Sequence, residues 1–335
     1  MIRKLLATAL IAAMLPFGAQ NANAASEWDN AVTVYGAALE QDSNLQNETA
    51  NLLGSEDTDI VDYVYSEDVN QYINQNYDNS VLKSSIRIIQ TSEGDGLNID
   101  INEDMGQILL ISEETYQNAL LTSGITDADV TIAAAQDVTG ESALAGVYKA
   151  FEAQGEEIDP EKTRNAQDEL ETISDISEEN SNVEGFSQVQ LNKVITEVKV
   201  EIVNNFNGDV TEDQVRDIVD EKLAENGLDG ILSQEQIDRI IVIIMNIKDS
   251  GLFTGEEADR LVNSSKDLLD RITSSDSFQD AKDKASELGK DIVNSEEASS
   301  FMDSLRSFWD RIVEFFKGVF SVTAYKYPLT EKNFS

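Results

Sequence analysis

Three segments repeat at a nearly constant interval. Gly208-Asp209-Val210-Thr211-Glu212-Asp213-Gln214, Gly230-Ile231-Leu232-Ser233-Gln234-Glu235-Gln236 and Gly251-Leu252-Phe253-Thr254-Gly255-Glu256-Glu257 begin 22 and 21 residues apart. Each carries Ser or Thr followed three positions later by Gln or Glu, the capping box that satisfies free backbone donors at a helix start. Apolar residues then recur in step: Val215, Ile218 and Val219; Ile237, Ile240 and Ile241; Ala258, Leu261 and Val262. The period therefore encodes loop plus helix and predicts three helices stacked as antiparallel neighbours. Residues 240–247 are apolar almost all round, which marks the middle helix as the buried one.

Upstream of this array the signals are mixed. Strands are predicted at 31–35, 60–65, 85–91 and 97–101, the last two joined by Glu93-Gly94-Asp95-Gly96 as a hairpin. Helices are predicted at 41–53, ended by Gly54, at 67–75, and at 112–123, capped by Ser112 and ended at Gly124. Residues 130–151 read as a buried strand, a polar turn and an amphipathic helix. Thr139 is the expected N-cap of that helix, Glu141 sits in its first turn, and Leu144, Val147 and Phe151 form its stripe. Pro160 opens a helical remainder, with helices at 161–174 and 187–204 around an acidic connector at 177–184. The fold class expected is α+β: an N-terminal mixed α/β layer over 25–155, a C-terminal antiparallel helical bundle over 160–322, and a tail at 323–335.

The first residues read as a secretory signal. Arg3 and Lys4 precede an apolar run at 5–15, Pro16 and Gly18 break it, and Ala22-Asn23-Ala24 supplies a cleavage pattern, with the cut expected after Ala24. No cysteine follows for a lipid anchor, and no later stretch is long and apolar enough to span a bilayer. A secreted, extracytoplasmic protein without a transmembrane segment is expected. Its 64 acidic residues against 24 basic ones give a formal charge of −40. Such a field repels nucleic acid and anionic lipid and attracts cations.

The chain has no histidine and no cysteine. Ser–His–Asp and Cys–His nucleophilic catalysis cannot be assembled, and zinc sites of the usual nitrogen and sulfur type are excluded. Gly140-Glu141-Ser142-Ala143 begins like a nucleophile elbow, but Leu144 stands where the second glycine belongs. Ser80-Val81-Leu82-Lys83 matches S-x-x-K without its companion motifs. Neither Gly208 nor Gly230 can serve as the central glycine of an EF-hand, because the flanking positions lack carboxylates. No catalytic residue, metal-ligand set or cofactor is assigned. Weak divalent-cation binding through clustered carboxylates is compatible with the composition, as is a carboxylate-pair hydrolase.

The run 115–152, T-Y-Q-N-A-L-L-T-S-G-I-T-D-A-D-V-T-I-A-A-A-Q-D-V-T-G-E-S-A-L-A-G-V-Y-K-A-F-E, resembles the signature of the YpuA-like secreted proteins, catalogued as domain of unknown function 1002. The order of elements from about Val32 onward is similar too. Ala135-Gln136 departs from the pattern, which leads one to expect a proline before the turn. The resemblance implies export and no assigned activity. Within this run Thr139, Gly140, Glu141, Tyr148, Lys149 and Glu152 form the candidate ligand-binding set, near the Thr139-Gly140 helix start, and the placement alone names no ligand. Farther on, Phe301, Leu305, Phe308, Ile312 and Phe315 recur at spacings of three and four. They predict a helix that packs on the bundle or, left exposed, binds a partner. The function expected is non-catalytic binding of an envelope component or another protein; the alternative is a carboxylate-dependent hydrolase acting on glycan or peptidoglycan.

Overall fold

A computed structural model of the chain describes residues 28–281 and Lys284. Residues 1–24, read above as a signal, the aromatic positions from Phe301 to Phe315 and residues 323–335 lie outside the described residues. Five strands form one sheet in the order β2-β1-β3-β5-β4: β1 Val32–Gly36, β2 Ile60–Val64, β3 Ser85–Gln90, β4 Leu97–Asn102 and β5 Ala128–Ala133. The pairs β1–β2 and β4–β5 are parallel, whereas β3 runs against both β1 and β5. The helices are α1 Ser43–Leu53, α2 Ser66–Ile73, α3 Glu113–Thr122, α4 Glu141–Ala153, α5 Pro160–Glu179, α6 Gln188–Phe206, α7 Glu212–Glu225, α8 Gln234–Asp249 and α9 Gly255–Ser274. The chain is α+β, as its patterning predicts.

Both faces of the sheet are covered. α4 packs on β1, β2 and β3, and Gly146 lets it come close: a Cβ there would already stand 3.2 Å from Ile86. On the opposite face, Tyr35, Leu39, Leu53 and Ala133 form a smaller cluster beneath α1. Hence β1 is buried at all five positions and does not alternate, as a strand covered on both sides should not.

The expected hairpin does not form. The turn at 93–96 exists, with Asp95 N–H donating to Ser92 O at 3.0 Å, but β5 lies between the two strands it joins. Asp127, just ahead of β5, ties the turn to the inserted strand: its Oδ1 accepts from Gly94 N–H at 2.8 Å and Gly96 N–H at 3.0 Å.

Below the sheet, α3 leads into the helical half. It packs most extensively on α5 and also on β4, α9 and α6, so one buried apolar cluster runs from Trp28 through to Phe278. Arg271 of α9 reaches back to β4, donating to Asn98 Oδ1 at 2.8 Å. α7 packs between α6 and α8, while α9 makes its main contacts with α6 and α3. The three repeats therefore do not stack in simple succession. α8 is buried on a broad face, but Val242 is 57 % exposed, so it is not enclosed all round.

Two of the three capping boxes form. Thr211 with Gln214 and Ser233 with Gln236 exchange both bonds at the starts of α7 and α8. At α9 neither half of the box forms: the Thr254 hydroxyl turns back to donate to Gly251 O at 2.9 Å, and the Glu257 carboxylate is taken by Lys162 Nζ, 2.6 Å from both oxygens. Thr211→Ala and Ser233→Ala should each lower stability by about 1 kcal/mol. Thr254→Ala should leave it nearly unchanged. Urea midpoints of the three variants check this, and equal losses would show that the third cap forms in solution.

Candidate functional site

Four strands of the sheet point one way, and the chain leaves the carboxyl ends of β1 and β5 at the same edge where the reversed β3 begins. Gly36 N–H donates to Ser85 Oγ there at 3.1 Å, and Ser85 stands opposite Ala133. Open sheets place ligands at this edge, where backbone leaves the layer and helices start. A cleft of about 300 Å³ opens here. Tyr77, Val81 and Leu82 form one wall, Val138, Thr139, Gly140 and Glu141 the other, and Ser84 and Ser142 the floor. Val138 is held by a bridge to Ile108, with Leu109 N–H donating to Val138 O at 2.9 Å.

Gly140, not Thr139, is the N-cap of α4. Its φ of 115° lies in the region that side chains avoid, and no side chain caps the helix. The Thr139 hydroxyl donates to the Glu141 carboxylate instead. Tyr116 secures the corner from below, donating its hydroxyl to Gly140 O at 2.7 Å. On the floor, the Ser84 and Ser142 hydroxyls lie 2.5 Å apart, and Ser142 also donates to Ser84 O at 3.1 Å. Both are therefore engaged with each other and with backbone carbonyls, and no base touches Ser142. Burial, then the charges of Glu141 and Glu171, push the Tyr77 phenol above its ordinary pKa, so it keeps its proton. The cleft thus offers apolar walls, a phenol donor and one carboxylate.

The six candidate residues divide into two groups. Thr139, Gly140 and Glu141 line the cleft. Tyr148, Lys149 and Glu152 lie farther along α4, against α2. Tyr148 is fully buried, its ring edge-on to Tyr72 with centroids 6.0 Å apart. Lys149 pairs with Asp68 at 2.7 Å and stands 5.3 Å from the Tyr65 ring centre, so its ion pair is made across to α2 rather than along its own helix. Glu152 accepts from the Tyr72 hydroxyl at 2.5 Å. These three fasten α4 to α2.

A second polar assembly went unread in the sequence. Where α3, α5 and α6 meet, Lys199 Nζ lies 2.5 Å from Glu169 Oε1, with both side chains at most 1 % exposed. Thr122 donates to Glu169 Oε2 at 2.5 Å and accepts from Lys199 at 2.8 Å. Asn118 receives Lys199 at its backbone oxygen and donates to Asn192, while Thr196 lies 3.0 Å from Asn118 Oδ1. The legible signal was spacing: Thr115, Asn118 and Thr122 share one face of α3, as Asn192, Thr196 and Lys199 share one of α6.

Among the described residues no helix is long and apolar enough to cross a membrane, and no three or more acidic side chains gather as a metal site. The family model described as "Protein of unknown function (DUF1002)" matches residues 35–264. The chain belongs to the DUF1002 family. "Uncharacterized protein YpuA" of Bacillus subtilis (strain 168) is 27% identical over 252 residues, which cover 75% of this chain and 77% of that relative. No solved structure matches. The DUF1002 match takes in the whole cleft and the whole Lys199 assembly.

Proposed function

We propose that this DUF1002 protein is an exported, non-catalytic binding protein that holds an envelope component or another protein through the cleft at the head of α4. The observation that carries the reading is the cleft's lining. Apolar walls and a single carboxylate suit capture of an apolar group that carries a cationic or hydrogen-bond-donating end. Glycoside hydrolysis needs two carboxyl groups across the scissile bond, and the second is not among the cleft residues. The N-terminal residues 1–24 support export.

Co-sedimentation of the secreted form with envelope fractions tests this. Binding is expected without release of soluble fragments. Val81, 58 % exposed at the cleft wall, can be replaced with little effect on the core. Val81→Arg should weaken binding about tenfold, equivalent to about 1.4 kcal/mol, and Glu141→Gln should weaken it by a smaller factor. Undiminished binding by Val81→Arg would move the contact elsewhere on the surface. Release of fragments would replace binding with hydrolysis.

A further inference from the structure

We propose that Lys199 and Asn118 join in an intramolecular isopeptide bond, with Glu169 as the proton carrier, locking α6 to α3 covalently. Three helices bring an amine, a carboxamide and a carboxylate together in a dry interior. Lys199 Nζ lies 3.4 Å from Asn118 Oδ1 and 2.5 Å from Glu169 Oε1. The carboxamide carbon is one bond beyond that oxygen. The Asn118 amide is held in place by its bonds to Asn192, at 3.0 Å to Oδ1 and 3.2 Å to the backbone oxygen. Nζ donates along Oδ1, so the amine has to swing past that oxygen to stand over Cγ, and holding the two groups this close offsets part of the entropy that a free amine and a free amide would lose on meeting.

The protonation states favour the step. Burial pushes the Glu169 carboxyl up and the Lys199 amine down, against the attraction between their charges. Lys199 passes one proton to Glu169, and the neutral amine attacks Asn118 Cγ. The carbonyl electron pair moves to Oδ1, with the Thr196 hydroxyl 3.0 Å away to donate to it. A proton shed by the attacking nitrogen passes to Nδ2 on the same carbon, the Cγ–Nδ2 bond breaks and ammonia leaves. The product is a secondary amide and a protonated Glu169. An interior that held two opposite charges then holds none, which removes their desolvation cost. In a chain with no cysteine, this is a covalent tie that needs no oxidant.

Intact-mass spectrometry of the denatured protein decides the matter. Wild type should be lighter than its sequence by one ammonia, and digestion with trypsin should yield a branched peptide joining the α3 and α6 segments. Lys199→Arg, Asn118→Ala and Glu169→Gln should each show the full sequence mass. A wild-type chain at full mass overturns the proposal whatever the variants do. Loss of ammonia that persists in Lys199→Arg also overturns it, since cyclisation at Asn207-Gly208 or Asn226-Gly227 would then account for the change.

Discussion

Glu169→Ala should be the most damaging single substitution in the helical half, lowering stability by about 3–5 kcal/mol. The carboxylate is fully enclosed and bonds to Lys199 and Thr122. Its removal, which by the proposal above also prevents the cross-link, leaves Lys199 as an ammonium with no counter-charge and shut off from solvent. The remaining partners of Lys199 are the Thr122 hydroxyl and the oxygens of Asn118, none of them charged. For a body of this size the loss corresponds to a fall in Tm of roughly 10 °C. Lys199→Ala should cost a comparable amount for the mirror-image reason. The double variant Glu169→Leu with Lys199→Met removes both charges and fills the space, so it should be more stable than either single variant. Urea unfolding of the set measures this. A loss under 1 kcal/mol in Glu169→Ala would mean that water reaches the pair.

Gly140→Ala should cost about 3 kcal/mol or more and abolish cleft binding with it. Two penalties coincide at this position. The φ of 115° is strained for any residue with a Cβ, a cost of about 1–2 kcal/mol. That Cβ would also stand 2.4 Å from the Tyr116 hydroxyl oxygen and 2.8 Å from Ile108 Cγ2. Relief requires the hydroxyl to give up Gly140 O, or the 108–111 segment to move, and overpacking of this kind adds about 1–3 kcal/mol. Gly124→Ala is the control: its φ is 89°, but nothing stands within 4 Å of an added Cβ. Thermal melts of the two variants should therefore differ by the steric part alone. Equal melting points would show that the corner above Tyr116 yields without cost.

What could be read from the sequence was local. Helix starts follow from a hydroxyl or carboxylate a few positions ahead of an apolar period, and Ser112, Asp159, Ser187, Thr211 and Ser233 all accept backbone donors at helix starts. Helix ends follow from glycine in the same way, as at Gly54. What escaped was decided at long range. Thr254 has the sequence of a cap, but its hydroxyl turns back to Gly251 O, and Lys162, almost a hundred positions earlier, claims the Glu257 carboxylate. The turn at 93–96 has the composition of a hairpin, but Asp127 claims its donors. Asn118 and Thr122 sit in the 115–152 run and share a helix face, but nothing local ties them to Glu169 and Lys199, because three separate helices must pack before they meet. The cleft was half legible: the strand–turn–helix unit marks Thr139 to Ser142, while the opposite wall at Tyr77 to Ser84 comes from a segment whose S-x-x-K match says nothing of its place beside α4.

The placement of β5 between β3 and β4 has a consequence for how this chain is born. A polypeptide emerging from its N-terminus exposes β3 and β4 some thirty residues before the strand that pairs with both of them. Until then each presents a bare edge to neighbouring chains, and nothing local can shield it. Late arrival of one segment thus sets when the facing edges of β3 and β4 are closed.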